Sequence, residues 1–226
     1  MPRQARIVLP GYLHHVTQRG NYRQNIFNDD IDRITYLKLL EHYGAKYGVS
    51  LYAFCLMDNH LHLIVSPSDP GGLGKAFCRI QQRYSIYFHK RVSRRGHLWQ
   101  ERFYSCLLFG AHIARAIRYI EKNPVRARMV EKPWDYRWSS ARAHLGTKYK
   151  IITLADVKEI VNVESWREFL EEDEKDEDID KLRKSTLKGG VFGPVEFVKK
   201  LEEKLGRSIL KKTQGRPKIL NKSKGG

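Results

Sequence analysis

Two apolar segments separated by a short polar break are the feature that most constrains the fold of this chain. Residues 49–57 and 60–66 are rich in Leu, Ile, Val and aromatic side chains, and Pro67 follows the second segment. Such composition is typical of buried β-strands. Asn59 stands in the break, and Asn favours turns. The two segments are therefore predicted to form a β-hairpin.

Two histidines, His60 and His62, lie on the second arm of this hairpin. Residues i and i+2 of a strand point to the same face, about 6.5–7 Å apart, so one metal ion can bind both imidazoles. Leu61 between them is predicted to face the core. Two histidines are too few for a closed structural zinc site and would leave an open one. From the pair alone, a metal site and a chance placement of two histidines are equally supported.

The balance of charge restricts the partners of the chain. Its 226 residues include 42 Lys and Arg against 25 Asp and Glu, a formal net charge of +17. Residues 171–180 hold eight of the acids, so the rest of the chain is more basic still. A folded body this positive favours a polyanionic partner, most simply nucleic acid.

Other classes of protein are disfavoured by what the sequence does not contain. There is no long apolar span, lipidation motif or signal-peptide stretch, so we expect a cytoplasmic, nucleoid-associated protein with no membrane partner. Hydrophobic residues make up 41% of the chain, enough for a substantial core. Cys55, Cys78 and Cys106 lie in apolar contexts, and we expect reduced core side chains.

The predicted elements follow the order β-α-β-β-α-β and then a helix. Besides the hairpin, the patterns predict strands over 7–17 and 99–109 and helices over 30–47, 73–92 and 110–123, with Pro124 ending the last. This is the split βαβ, ferredoxin-like order of an α+β fold. The sheet is predicted to be antiparallel, with the two main helices on one face and the other face free for a ligand or the final helix.

The part of the chain after residue 145 has a different character. We expect a short helical region over 153–169, a solvated helix or loop at the acidic run 171–180, and a helix from Gly193 through Leu205. Residues 211–226 are basic and poor in apolar groups, which predicts a flexible end.

Tyr119 and Asn123 form a second candidate group. They are four residues apart on the helix predicted over 110–123, so their side chains share a face, with Cβ atoms about 5–6 Å apart. An Asn oxygen suits Mg²⁺ or Mn²⁺, and a phenol facing a metal-polarised phosphate becomes a usable nucleophile. Spacing alone favours a structural role, with Tyr119 in the core and Asn123 near a helix end.

Five blocks over residues 7–145 carry a resemblance to a known family. The chain resembles the HUH single-tyrosine transposases, and specifically the bacterial REP-associated tyrosine transposases. The blocks are His14–Asn21, Met57–Leu63, Gly96–Phe103, Tyr119–Arg126 and Trp138–Ser140. Residues 197–206 and Gly215–Lys218 resemble the tail of that group. The chain departs from the family at Asp58, where proline is more usual, and over 188–193.

The resemblance implies the activity, the cofactor and the roles of residues. It implies a single-stranded DNA endonuclease and strand transferase that acts at hairpin-associated, REP-like DNA in transposition or palindrome mobilisation. Tyr119 would be the nucleophile that forms a 5′-phosphotyrosine, and His60, His62 and Asn123 would bind Mg²⁺ or Mn²⁺, with no small-molecule cofactor. The enzyme would be a monomer or a homodimer.

The resemblance also implies three regions. They are a catalytic domain over 1–146, a helical and acidic segment over 147–183, and a basic, partly flexible extension over 184–226.

DNA contacts are expected from Lys90, Arg91, Arg94, Arg95, Arg102, Arg126, Arg216 and Lys218, although any one of these is equally well explained as part of a solvated basic surface.

Two other functions remain open from the sequence. One is a non-catalytic nucleic-acid-binding regulator that uses the same basic surface. The other is a zinc hydrolase that uses the histidine pair and a water nucleophile.

The acidic run 171–180 is in addition expected to mask the basic surface, because its charge opposes that of the rest of the chain.

Overall fold

The structure is a computed structural model that describes residues 6–147, 149–158 and 160–209. Its centre is a five-stranded sheet in the order β2-β3-β1-β4-β5. The first four strands in that order are antiparallel, and β5 runs parallel to β4. The strands are β1 His14–Arg19, β2 Val49–Met57, β3 His60–Pro67, β4 Tyr104–Leu108 and β5 Val191–Phe192.

Eight α-helices surround this sheet in the described part of the chain. They are α1 Asp30–Lys46, α2 Gly72–Val92, α3 His112–Glu121, α4 Asn123–Arg126, α5 Ala141–His144, α6 Trp166–Glu171, α7 Asp176–Lys188 and α8 Val195–Leu205. Helices α1 and α2 pack against each other and against β2. Helix α3 packs against β2, β3 and β4, and α7 packs against β4, β5 and β1. The α+β class and the split βαβ order of the first four strands are confirmed. The sheet face that was expected to be free for a ligand or the final helix is covered by that helix, α3, and also by α7, which was not expected there.

The predicted hairpin is confirmed almost residue by residue. Strand β2 ends at Met57, which pairs with His60 at the start of β3. Leu61 is fully buried, as predicted. Residues outside the hairpin hold its turn in place, because the Asp58 carbonyl accepts hydrogen bonds from the backbone N–H groups of Ile26 and Phe27. The Asp58 carboxylate also forms an ion pair with Arg33, a contact that a proline at this position cannot make.

Two strand predictions were too long. The first strand begins at His14, because Pro10 and Gly11 form a turn in which Gly11 has φ of +75°. The fourth strand begins at Tyr104, since the preceding segment leaves the sheet after a single bridge from Trp99 to Gly20. Apolar composition alone did not separate these flanking segments from the paired residues.

Several helix predictions were also corrected. The helix expected to end at Pro124 breaks two residues earlier, at Lys122. Pro124 lies in the first turn of α4, where a missing N–H costs nothing. The helical region expected over 153–169 is reduced to α6, which Ser165 caps by accepting from the Glu168 N–H. The second half of the acidic run is helical, as part of α7. The short strand β5 was not predicted.

The helices predicted from clear end signals are confirmed. The Asp29 carboxylate caps α1 by accepting the N–H groups of Ile31 at 2.9 Å and Asp32 at 3.1 Å. Helix α8 ends at Leu205, as expected. Cys55 and Cys106 are buried and reduced, but Cys78 is exposed, because it lies beside the apolar stripe of α2 and not on it. No helix in the described ranges is both long and apolar enough to cross a membrane.

A buried carboxylate ties the helices after β4 together. Glu121, the last residue of α3, is completely buried. It accepts hydrogen bonds from the Ser140 hydroxyl, from His144 Nδ1 at 2.7 Å and from Trp166 Nε1 at 2.9 Å. A buried carboxylate is stable only with such partners, and its removal leaves buried donors unsatisfied.

We expect Glu121→Ala to lower the free energy of unfolding by about 3 kcal/mol or more, because three buried donors lose one acceptor. Urea unfolding followed by circular dichroism measures this. The exposed Glu131→Ala is the matched control and should change stability by no more than about 0.5 kcal/mol. A loss below about 1 kcal/mol in Glu121→Ala would contradict the role assigned to this carboxylate.

Candidate active site

The two histidines of β3 form the floor of the site. The His60 and His62 rings meet edge to face with their centroids 5.1 Å apart. Their cross-strand partners on β1 are Arg19 and Thr17, so all four side chains share one face of the sheet. The structure therefore places the pair on one face, as the i, i+2 spacing predicted.

Helices α3 and α4 bring Tyr119 and Asn123 to the same place. The Tyr119 ring lies edge to face against His62, with centroids 5.5 Å apart, and Asn123 Nδ2 lies 3.4 Å from His60 Nε2. The four-residue spacing survives the helix break, because Lys122 at the break keeps right-handed helical angles. Both side chains are nearly buried, with 5% of Tyr119 and 9% of Asn123 exposed.

Both histidines are neutral at pH 7. Burial lowers the pKa of His60 to about 4, and the nearby Arg19 charge acts in the same direction. Burial also holds the pKa of His62 well below its usual value, with further contributions from His15 and His60. A metal ion binds neutral imidazole, so the pair is ready to act as ligands without losing a proton.

The orientation of the His60 ring is fixed by its neighbour in sequence. His60 Nδ1 lies 2.6 Å from Asn59 Oδ1, while Asn59 Nδ2 donates to the Arg23 carbonyl at 3.3 Å. Because the Asn59 oxygen can only accept, His60 carries its proton on Nδ1. The unprotonated Nε2 therefore faces Asn123.

The residues present fit a small divalent ion with an open coordination sphere. Adjacent ligand atoms on an ion with bonds of about 2.1 Å are about 3 Å apart, close to the 3.4 Å between His60 Nε2 and the Asn123 amide. Rotating that amide by half a turn presents its oxygen, the atom a hard ion prefers. No cluster of three or more His, Cys, Asp or Glu side chains able to hold a metal occurs in the described chain.

Cys55 lies next to this site without joining it. It is the cross-strand partner of His62, but its thiol contacts the Met57 sulfur at 3.6 Å. Burial raises the pKa of the Cys55 thiol far above its usual value, so the thiol stays protonated. Metal ions bind the thiolate, and this side chain is therefore a core residue, as predicted.

Three residues that sequence reasoning missed complete the surroundings of the site. His15 Nε2 lies 2.9 Å from His62 Nδ1, His15 Nδ1 lies 2.8 Å from the Thr186 hydroxyl, and Arg183 Nε donates to the Tyr119 hydroxyl at 3.2 Å. A histidine inside an apolar strand was a signal that could have identified His15. Nothing in the local sequence marks Thr186 or Arg183, because only the docking of α7 brings them here.

The basic residues expected to bind DNA fall into different environments. Arg91 forms ion pairs with Asp29 and Asp32, and Arg126 forms one with Glu174 while donating to the Tyr119 carbonyl at 2.5 Å. Four others are exposed, without an ion pair to any described residue: Lys90, Arg94, Arg95 and Arg102. Arg216 and Lys218 lie outside the described residues.

Arg102 also lines a cleft at the end of the sheet that carries His60. The cleft has a volume of about 450 Å³, and its walls include Asn21, His97, Trp99 and Gln100. It adjoins the sheet because the Gln100 N–H donates to the Arg19 carbonyl, and Arg19 pairs with His60. Polar, basic and aromatic groups therefore meet close to the histidine pair.

The acidic run lies against the helix that carries Tyr119. Glu172 pairs with Arg118, Glu174 with Arg126, and Asp178 with Arg115 at 3.3 Å. A cavity of about 250 Å³ opens beside Tyr119, and both the arginines of α3 and these acids line it. Cations close to the tyrosine are thus matched by carboxylates of the same chain.

Solved structures of other proteins are similar to the chain, and the first of the two described here shares its fold. One is described as a REP-associated tyrosine transposase bound to a REP hairpin; it is 19% identical, with a TM-score of 0.51, and the match covers 70% of this chain and 93% of that one. Another is a putative transposase from Deinococcus radiodurans R1, 18% identical, with a TM-score of 0.37 and coverage of 57% and 92%. No curated protein sequence matches the chain.

A family model supplies the classification. The model described as "Transposase IS200 like" matches residues 10–123, the segment that runs from the turn before β1 through all four predicted site residues. That segment is just over half of the chain, and it ends at Asn123. The chain therefore belongs to the IS200-like transposase family.

Proposed function

We propose that the chain is a metal-dependent single-stranded DNA transesterase in which Tyr119 is the nucleophile. The observation that carries this proposal is the convergence of Tyr119, His60, His62 and Asn123 in one nearly buried site of a member of a transposase family. A nucleophile beside a set of metal ligands is an arrangement that supports phosphoryl transfer with a bound cation.

The reaction exchanges one phosphodiester for another. The Tyr119 oxygen loses its proton and forms a bond to phosphorus, while the bond from phosphorus to the 3′ oxygen breaks. That oxygen takes up a proton and leaves as the 3′-OH of the strand on the 5′ side of the cut, so the strand on the 3′ side stays bound to the tyrosine through its 5′ phosphate. Attack by another 3′-OH reverses the step and joins strands without an external energy source.

The residues of the chain have separate tasks in this scheme. His60, His62 and Asn123 would hold Mg²⁺ or Mn²⁺, which when bound supplies positive charge to the scissile phosphate. Arg183 holds the phenol oxygen of Tyr119 in place through its hydrogen bond. The Arg126 guanidinium lies 4.5 Å from the centre of the Tyr119 ring and adds positive charge beside it.

The proposed substrate is single-stranded DNA next to a hairpin. The net charge of +17 favours a polyanion, and the solved relative with the shared fold is described as bound to a REP hairpin. The exposed cations Lys90, Arg94, Arg95 and Arg102 are the proposed phosphate contacts. The partly buried Trp99 in the cleft lined by Arg102 offers an aromatic surface near unpaired bases.

One observation favours a second candidate function, a DNA-binding regulator without catalysis. Tyr119 is only 5% exposed, and α7 and the acidic run lie over it. If that cover does not move, DNA can bind to the exposed basic residues without reaching the phenol. A covalent adduct between protein and DNA separates the two functions, because binding alone does not form it.

We expect Tyr119→Phe to abolish the covalent adduct and still bind DNA, because the change removes only the hydroxyl. A single-stranded oligonucleotide labelled next to its hairpin, incubated with Mn²⁺ or Mg²⁺, reports the adduct as a shifted band on a denaturing gel. Tyr12→Phe is the matched control, since the Tyr12 ring packs against Phe109 and Phe197 and not against the His60–His62 pair. Equal adduct formation by wild type and Tyr119→Phe would refute the assignment.

We expect neutralising the paired acids to tighten binding of single-stranded DNA. The variant Glu172→Gln, Glu174→Gln, Asp178→Asn frees three arginines of α3 and α4. Three additional phosphate contacts would steepen the slope of log affinity against log salt by up to about 2. Fluorescence anisotropy over a salt series measures both quantities.

The control for that experiment carries the same change of charge in the same segment. Glu171→Gln, Glu177→Gln, Asp180→Asn alters acids that are exposed and make no ion pair with α3 or α4 among the described residues. If both variants tighten binding equally, net charge explains the effect, and masking by the three ion pairs does not.

A further inference from the structure

A chain of buried hydrogen bonds leads from α7 to a proposed metal ligand. The Thr186 hydroxyl donates to the Leu182 carbonyl at 2.8 Å, His15 Nδ1 lies 2.8 Å from the same hydroxyl, and His15 Nε2 lies 2.9 Å from His62 Nδ1. We call Thr186, His15 and His62 the histidine–threonine chain. All three side chains are more than 90% buried, so water does not compete for their partners.

The single hydrogen of the Thr186 hydroxyl determines which group donates in each hydrogen bond of this chain. A hydroxyl has one hydrogen, and a carbonyl oxygen can only accept. Because Thr186 Oγ1 and the Leu182 oxygen are 2.8 Å apart, the hydroxyl hydrogen lies between them. The hydroxyl has no second hydrogen to offer His15. His15 Nδ1 must therefore carry the hydrogen that joins it to Thr186.

The same reasoning about hydrogens applies to the bond between His15 and His62. A neutral imidazole has one N–H, so with its hydrogen on Nδ1, His15 presents an unprotonated Nε2. The 2.9 Å contact with His62 then requires the hydrogen on His62 Nδ1. His62 Nε2 is left with a lone pair, and no described residue donates a hydrogen bond to it. In His60, the hydrogen bond from Nδ1 to Asn59 likewise leaves Nε2 unprotonated.

We propose that Thr186 and His15 are positioning residues that hold His62 in the tautomer able to bind a metal through Nε2. This proposal rests on the proposed function only in taking metal binding as the purpose of the tautomer. The tautomer itself is defined without metal or DNA. It places part of the active centre on α7, which follows the segment matched by the family model. Partners of this kind fix the ring of a ligand histidine and raise its affinity for metal.

If these hydrogen bonds were donated in the opposite direction, His62 could not bind a metal ion through Nε2. If Thr186 donated to His15 Nδ1, then His15 Nε2 would carry the hydrogen and donate to His62 Nδ1. His62 Nε2 would then be protonated and could not bind an ion. Cys106 Sγ also contacts the Thr186 hydroxyl at 3.2 Å, but a thiol is a weak partner and does not decide the direction.

The tautomers can be read directly from the metal-free protein. Long-range ¹H–¹⁵N correlation spectra of protein labelled with ¹⁵N-histidine distinguish a protonated from an unprotonated ring nitrogen, and His62→Gln and His60→Gln assign the signals. We expect hydrogen on Nδ1 of both His60 and His62 in the wild type. Hydrogen on His62 Nε2 would overturn the proposal, whether or not the protein cleaves DNA.

A matched pair of variants then tests the role of the hydroxyl. Thr186→Val keeps the shape of the side chain and removes the hydroxyl, whereas Thr186→Ser keeps the hydroxyl and removes a methyl group. We expect Thr186→Val to shift His62 toward the Nε2–H tautomer and leave His60 unchanged, while Thr186→Ser retains the wild-type spectrum. His60 thus serves as an internal control for folding.

Metal binding provides the second measurement. We expect the Mn²⁺ dissociation constant, measured by electron paramagnetic resonance, to rise about 10- to 100-fold in Thr186→Val and to stay near the wild-type value in Thr186→Ser. Cys106→Ala should also stay near wild type. Equal effects of Thr186→Val and Thr186→Ser would mean that packing matters and the hydroxyl does not, which would overturn the proposal. If the tautomers are as expected but no covalent adduct forms with DNA, only the proposed function is rejected.

Discussion

The pairing of β1 with β3 at the centre of the sheet is the constraint on which the site depends. It places Thr17 opposite His62 and Arg19 opposite His60. A slip of one residue would turn the site face of β1 toward the opposite side of the sheet. His15 would then leave the site face, and His62 would lose the partner that holds its ring. The register is itself fixed by burial, because Val16 and Leu61 are fully buried on the opposite face.

Helix α3 uses its two sides for two different purposes. Successive helix residues are about 100° apart, so Tyr119 and Glu121 point in nearly opposite directions. Tyr119 meets the histidines of the sheet, while Glu121 binds Ser140, His144 and Trp166. The buried carboxylate therefore fixes the rotation of the helix about its axis, and that rotation determines where the phenol points.

The sequence predicted the parts of this molecule that depend on near neighbours. The hairpin, the cap at Asp29 and the shared face of Tyr119 and Asn123 all follow from spacings of a few residues, and the order of strands follows from the order of elements. His60 takes its orientation from Asn59, next to it in sequence. His62 takes its orientation from His15, which precedes it by 47 residues, and through it from Thr186, which follows His15 by 171.

Periodicity along one segment contains no information about such distant partners. Thr186 occupies an ordinary helical position, and only the packing of α7 against β4 and β1 brings it to the site. The same limit explains why β5 was not predicted, because two residues are too few to show a pattern. The paired state of Arg91 and Arg126 was equally invisible, since their acidic partners come from other elements.

The two ends of the segment that covers Tyr119 are held by unlike forces. Its acidic part is attached through ion pairs that are partly exposed, and salt or a competing polyanion weakens such pairs. The C-terminal half of α7 is attached through buried Leu182 and Thr186, and neither salt nor phosphate competes with apolar burial or an internal hydrogen bond. A polyanion can therefore displace the acids from α3 while Thr186 stays on His15. The ion pairs that a polyanion can weaken are thus separate from the hydrogen bonds that orient His62.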